Sequence, residues 1–196
     1  ASTIYSLAGL ASSSEGASGL AEGDTRSPEQ KWNWATQWSL PKAETLTFMM
    51  PGFFGWGHLP DSPYWGNIGR DARWPQGGFR RFSINTQAMG VVVIALALLA
   101  PFVAARLAPG ARPVILFWLV VLILTLLFAW GRYFDLSPSG ATGLGPYRLF
   151  YLLPKMDAMR NPLKFLYPFM IALAILCAYG MHSVTLGDSP KTGRAK

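Results

Sequence analysis

The last apolar segment of the chain is preceded by four basic residues, which are Arg148, Lys155, Arg160 and Lys164. They include the strongest candidates for anion binding. Arg160 and Lys164 are four positions apart, so on a helix their side chains would share one face and could bind one phosphate group together. Pro162 lies between them, so ideal helical spacing is not assured. Arg148 is the third candidate. The alternative is that these long side chains only extend along a bilayer surface.

The segment 58–71 contains the candidates for acid–base chemistry. Asp61 and Asp71 could serve as acid or base, and His58 as a ligand or proton carrier. The competing interpretation is structural, because Asp61 precedes Ser-Pro and can begin a turn. The 196-residue chain has two histidines and one cysteine, and their spacing matches no metal signature. With no phosphate-binding glycine loop or nucleophile motif either, we expect no metal and no cofactor.

The region 32–87 is unusually aromatic and contains six of the eight tryptophans. Glycine and proline are too frequent there for long helices, apart from a short helix expected near 42–50. Aromatic side chains of this kind can form an interfacial belt with a small core packed on membrane helices. They can also form a surface that stacks on sugar rings. The sequence leaves both interpretations open.

Three apolar segments must position these groups, and their length predicts helices that span a membrane. They are residues 88–107, 113–130 and 165–183. Pro101 and Pro168 lie inside two of them, where a kink or a closely packed neighbour is expected. Only 14% of the residues are charged, compared with about 25% in soluble domains. We therefore predict an all-α membrane protein with about three transmembrane helices.

The composition also predicts how the chain is organised. We expect a flexible Ser/Gly-rich segment at 1–31, an extramembrane aromatic region at 32–87, a membrane domain at 88–184 and a basic tail at 185–196. Within the membrane domain, residues 146–162 are expected to form a partly helical segment at the bilayer surface.

The net charge of +7 is the feature that bears on partners. Most basic residues flank the apolar segments, so membrane lipids or lipid-linked phosphates are expected rather than nucleic acid. Three spans place the region 32–87 and the loop 131–164 on one side of the membrane. The excess of basic residues in that loop would put this side in the cytoplasm. The rule weakens for long translocated regions, so charge alone leaves the orientation open.

Several motifs follow one another in a specific order: residues 39–44 (SLPKAE), 51–55 (PGFFG), 64–66 (YWG), and an Arg-x-Pro-x-Lys-Phe element at 160–165 that leads into a helix ending at Gly180. This order resembles that of bacterial YfhO-type membrane proteins, which are multi-spanning proteins of the GT-C glycosyltransferase class. The resemblance covers roughly residues 38–181. One departure is Lys-Ala before the glutamate of the first motif, where a further acidic residue is expected.

The resemblance implies a protein of the bacterial inner membrane that takes a sugar from a polyprenyl-phosphate donor, with its long loops on the external face. The expected ligands of the lipid phosphate are Arg160, Lys164 and Arg148. The sugar-facing candidates are Tyr64, Trp65 and Asp61. The catalytic carboxylate of such enzymes lies in an earlier external loop, so we expect this chain to be a fragment without it. No catalytic residue is assigned, and the chain alone is expected to be inactive.

A second interpretation belongs to a different class: a non-catalytic structural or accessory subunit of a larger membrane complex. The aromatic region would then contact partner proteins, and the helices would contact neighbouring helices. Both interpretations predict further transmembrane helices or subunits, because three spans are too few to enclose a lipid site. A transporter is disfavoured because ionisable groups are scarce inside the spans.

Overall fold

The structure is a computed structural model, and it describes residues 27–55, 64–68, 88–103, 110–134, 145–153 and 161–187. Every regular element within these residues is helical, which confirms the all-helical prediction for this part of the chain. The α-helices are α1 (Pro28–Thr36), α2 (Val91–Val103), α3 (Ala111–Trp130), α4 (Pro146–Tyr151) and α5 (Leu166–Gly187). The 3₁₀ helices are Lys42–Phe48, Gly131–Tyr133 and Pro162–Phe165.

Two helical segments are long and apolar enough to cross a membrane. They are Ala111–Tyr133, with 23 residues, and Pro162–Thr185, with 24 residues. At about 1.5 Å per residue both exceed the roughly 30 Å hydrocarbon core of a bilayer. The third predicted span is represented by α2, whose 13 apolar residues fall short of that length. Positions 104–107 of that span lie outside the described residues. Two of the three expected spans therefore have the necessary length and composition.

Helix α5 lies at the centre of the bundle, because it packs against both α2 and α3. The buried residues along these contacts are Ala97, Ala100, Ile115, Leu122, Leu173 and Leu176. The closest approach is at Gly180, where an added Cβ would collide with the carbonyl oxygen of Leu96. Glycine thus allows the backbones of α2 and α5 to meet, a way of packing that is frequent between membrane helices.

Most of the apolar surface of the two long helices faces outward. Only 28% and 39% of their most apolar stretches are buried inside the structure. The exposed side chains of α3 include Leu116, Phe117, Val120 and Ile123. The core helix of a soluble protein would instead be mostly buried, and monomeric soluble proteins rarely expose apolar areas of this extent. This exposed apolar surface suggests that the two helices associate with a membrane.

The two prolines of the predicted spans occupy different positions. Pro101 lies inside α2, as expected. Pro168 is the third residue of α5, in its first turn, where helices have backbone donors without helical partners. The missing N–H costs little at that position, so Pro168 does not interrupt the middle of the span.

Helix α1 is a feature that the sequence analysis did not anticipate, and it begins inside the segment predicted to be flexible. Ser27 caps its N-terminus by accepting a hydrogen bond from the backbone N–H of Gln30, while the Gln30 side chain accepts one from Ser27. Pro28 occupies the first helical position. The sequence Ser-Pro-Glu-Gln is a capping box, so a local signal for this helix was present.

Residues 35–55 and 64–68 form a unit, hereafter the cap, at one end of the bundle. Backbone hydrogen bonds tie the cap to the three long helical segments, and their donor and acceptor pairs are Leu40 to Ala129 (2.8 Å), Leu163 to Trp38 (3.2 Å) and Gly90 to Phe48 (3.1 Å). The beginnings of α2 and α5 and the end of α3 therefore all lie next to the cap. The short helix expected near 42–50 is part of it, with 3₁₀ rather than α geometry.

Candidate functional site

The centre of the cap is the carboxylate of Glu44, which is only 1% exposed. Its Oε1 accepts a hydrogen bond from the backbone N–H of Asn67 at 2.6 Å, and its Oε2 accepts one from the hydroxyl of Tyr64. The Tyr64 oxygen in turn accepts from the N–H of Ile68 at 3.0 Å. A buried carboxylate is tolerated when donors of this kind satisfy both oxygens. Glu44 therefore holds the two parts of the cap together.

Gly66 makes this arrangement possible. A Cβ at this position would overlap the Tyr64 hydroxyl and the Oε2 of Glu44. The sequence Tyr-Trp-Gly-Asn thus closes around the carboxylate, with glycine at the point of closest approach. The motifs at 39–44 and 64–66 are both visible in the sequence, but their spacing does not show that they contact each other.

Burial is the main reason that the pKa of Tyr64 lies well above its ordinary value near 10, and the hydrogen bond to Glu44 adds to the increase. The folded protein keeps the phenol protonated, whereas the unfolded chain releases the proton near pH 10. The stabilisation is therefore complete below about pH 10 and is lost as the pH rises further.

We expect the melting temperature to decrease above about pH 10, and the decrease to be shallower in Tyr64→Phe. Thermal unfolding followed between pH 8 and pH 11.5 (roughly one unit or more on either side of the ordinary tyrosine pKa) measures both slopes. Tyr167→Phe is the matched control, because this tyrosine is 71% exposed on α5. An identical alkaline slope in Tyr64→Phe and in the parent chain would contradict the assignment.

A second set of polar contacts joins the cap to the end of α3. The Tyr133 hydroxyl donates to the carbonyl oxygen of Asn67 at 3.2 Å, and the backbone N–H of Arg132 donates to Ser39 Oγ at 3.3 Å. The indole N–H of Trp130 donates to Thr45 Oγ1 at 3.0 Å. These contacts fix the cap over the end of an apolar helix.

Two cations lie on aromatic rings at this same helix end. The Lys42 ammonium is 4.9 Å from the ring centre of Phe134, which stacks on Trp130. The Arg132 guanidinium is 5.2 Å from the ring centre of Tyr133. Neither cation was among the predicted site residues. The contact of Lys42 with Phe134 joins distant segments of the chain, whereas Arg132 lies on the ring of its neighbour in the sequence.

The predicted phosphate ligands are only partly brought together. Arg148 lies 4.5 Å from the ring centre of Trp32, and its helix α4 packs against Phe165, the neighbour of Lys164. Lys164 is exposed in the 3₁₀ helix that precedes α5. Arg160 lies outside the described residues.

An unusual backbone conformation precedes the 3₁₀ helix that contains Lys164. Asn161 has a left-handed conformation, with φ of 79°, immediately before that helix. Pro162 occupies its first position, where the missing N–H costs little. The shared face of Arg160 and Lys164 stays a prediction, because Arg160 lies outside the described residues.

The sugar-facing candidates differ strongly in exposure. Trp65 is 55% exposed, and its ring centre lies 4.5 Å from that of Phe54 and 5.8 Å from that of Phe53. Tyr64 is 6% exposed, and its hydroxyl is bound to Glu44, so it offers no open ring face to a ligand. Asp61 lies outside the described residues, as do His58 and Asp71. Of the two described candidates, Trp65 has the exposed ring that stacking on a sugar requires.

Among the described residues, no group of three or more His, Cys, Asp or Glu side chains could hold a metal ion. No protein-family model, no curated protein and no solved structure matches the chain. The geometry of the described residues defines an apolar helical bundle with an aromatic and cationic cap at one end.

Proposed function

We propose that the chain is a membrane-embedded part of a bacterial glycosyltransferase that uses a lipid-linked sugar, as its resemblance to YfhO-type proteins implies. The observation that supports the membrane placement is the outward-facing apolar surface of α3 and α5. Less than half of the most apolar stretch of each helix is buried inside the structure. In a bilayer this surface contacts acyl chains, and the cap lies at one boundary of the membrane. The cap would face the exterior of the inner membrane, where such donors are used.

In this proposal the cap and the start of α5 bind the phosphate of a polyprenyl-phosphate sugar. Transfer breaks the bond between the anomeric carbon and the phosphate oxygen, so negative charge develops on the leaving phosphate. Fixed cations at that position stabilise the transition state. Lys164 and Arg148 retain this role, and Lys42 joins them because it lies exposed beside the end of α3. Trp65 would stack on the sugar.

Glu44 is not assigned to catalysis. Both of its oxygens already accept hydrogen bonds from groups of the cap, so the carboxylate does not face a substrate. The catalytic carboxylate would come from another part of the parent protein, and so would the further helices that enclose the lipid.

We expect Lys164→Ala to weaken the binding of a polyprenyl phosphate by roughly tenfold to a hundredfold, because one hydrogen bond between charged groups is lost. The assay uses the full chain in lipid nanodiscs and measures the dissociation constant of a labelled polyprenyl phosphate, so it does not need the catalytic carboxylate. Arg112→Ala is the matched control, since Arg112 is an exposed cation at the other end of α3. Equal affinities of Lys164→Ala and Arg112→Ala would contradict the phosphate role.

The alternative function is that of a structural or accessory subunit. It is favoured by one observation: Glu44 and Tyr64 contact each other inside the cap. They belong to two of the motifs on which the resemblance to YfhO-type proteins rests. Motifs that only maintain the cap require no substrate. This alternative predicts that the full chain, with its cap folded, binds a polyprenyl phosphate no more tightly than the uncharged polyprenol and co-purifies with other membrane proteins.

A further inference from the structure

Residues 45–55 of the cap, hereafter the apolar loop, contain no charged side chain. Much of their apolar surface is exposed, together with the neighbouring tryptophan. The exposed members are Leu46, Met49, Met50, Phe53 and Trp65, each between 41% and 55% exposed. A cluster of exposed apolar side chains of this kind marks a surface that binds something apolar.

Several backbone N–H groups of the apolar loop are paired within it. The N–H groups of Met49 and Met50 donate to the carbonyl oxygen of Leu46 at 3.0 and 2.9 Å, and that of Phe53 donates to Met50 at 3.2 Å. Pro51 and Gly52, the latter with φ of 74°, form the tip in the order favoured by a type II turn. Each paired N–H lowers the cost of moving the loop into a region of low polarity.

The buried Phe48 fixes the loop beside the bundle. It is 3% exposed, and its ring centre lies 5.4 Å from that of Phe169 in the first turn of α5. Its carbonyl oxygen accepts from the N–H of Gly90, just before the start of α2. Val92 follows Gly90 closely and is 72% exposed, so the outward apolar side chains of α2 begin beside the loop. The surface of the apolar loop therefore continues the apolar surface of the bundle.

We propose that the apolar loop inserts into the headgroup and upper acyl region of the bilayer as an anchor that does not span it. This inference rests on the proposed membrane placement of α3 and α5. Methionine, leucine and phenylalanine side chains enter the acyl boundary, and Trp65 beside the loop keeps the sugar-stacking role proposed above. Continuity with the helix surface selects lipid rather than a protein as the occupant. The anchor would hold the cap and its cations at the level of lipid phosphates.

The test uses nitroxide labels in the full chain carrying Cys177→Ser, reconstituted in phosphatidylcholine–phosphatidylglycerol nanodiscs. Labels at Met50→Cys and Phe53→Cys report the apolar loop. A label at Phe117→Cys reports the exposed face of α3, and one at Asn33→Cys reports the exposed surface of α1. The measured quantity is the ratio of accessibility to oxygen over accessibility to a water-soluble nickel chelate.

We expect the ratio at both loop positions to be higher than at Asn33 and lower than at Phe117, as for a label at the acyl boundary. If the loop labels match Asn33 while Phe117 reports lipid, the loop proposal is overturned and the membrane placement stands. If both loop labels are shielded from oxygen and nickel alike, a protein covers the surface and the lipid assignment is wrong. If Phe117 itself reports water, the membrane placement fails first.

Discussion

Replacing Glu44 by alanine is expected to open the cap, with a loss of about 3 kcal/mol or more of its stability. The substitution removes the acceptor of two hydrogen bonds, and bonds to a charged group contribute about 1.5–3 kcal/mol each. It also leaves the buried Tyr64 hydroxyl and the partly buried Asn67 N–H without that acceptor. At about 1.4 kcal/mol per factor of ten, the open cap becomes more than a hundredfold more populated.

Hydrogen exchange of the cap measures this effect directly. The amide protons of Asn67 and Ile68 should exchange at least a hundredfold faster in Glu44→Ala, while those in the middle of α3 keep their protection. Glu29→Ala is the control, because Glu29 is an exposed carboxylate on α1. Tyr64→Phe should give an intermediate acceleration, since the Asn67 hydrogen bond remains. Unchanged exchange in Glu44→Ala would show that the carboxylate does not hold the cap.

Replacing Gly180 by alanine is expected to destabilise the bundle by about 1–3 kcal/mol. Alanine is the better helix former by about 1 kcal/mol, so on an open surface the same change would be stabilising. Here the new Cβ meets the backbone carbonyl of Leu96, which cannot move aside as a flexible side chain can. The two helices must separate, and the packing of α5 against α2 is lost.

Thermal unfolding in detergent should show a decrease of roughly 2–12 °C for Gly180→Ala, on the scale of about 2–4 °C per kcal/mol for a chain of this size. Ala178→Leu is the matched control, because it adds more volume on an exposed position of the same helix. A melting temperature that rises in Gly180→Ala would mean that helix propensity dominates and that α2 does not approach α5 so closely.

The Glu44 prediction bears on function through the cap. The cations Lys42 and Arg132 are positioned by contacts with the cap and the end of α3, so an open cap displaces them from these positions. In the proposed enzyme Glu44→Ala therefore lowers activity without removing any group that touches the substrate. Activity that survives an opened cap would favour a site formed by other parts of the protein.

The sequence by itself determined the helical class and the positions of α3 and α5. Length and apolar composition are local properties, and a segment such as 113–130 has no other way to satisfy its backbone in an apolar surrounding. The helix α1 could also have been predicted, because its capping box lies within four consecutive residues. These features depend on neighbours in the chain, so they can be inferred without knowing the fold.

Only the tertiary structure decided which residues meet. Glu44 and Tyr64 are twenty positions apart, and Arg148 lies on Trp32 across more than a hundred positions. Contacts of this kind depend on how helices and cap pack in space, and spacing along the chain carries no information about that packing.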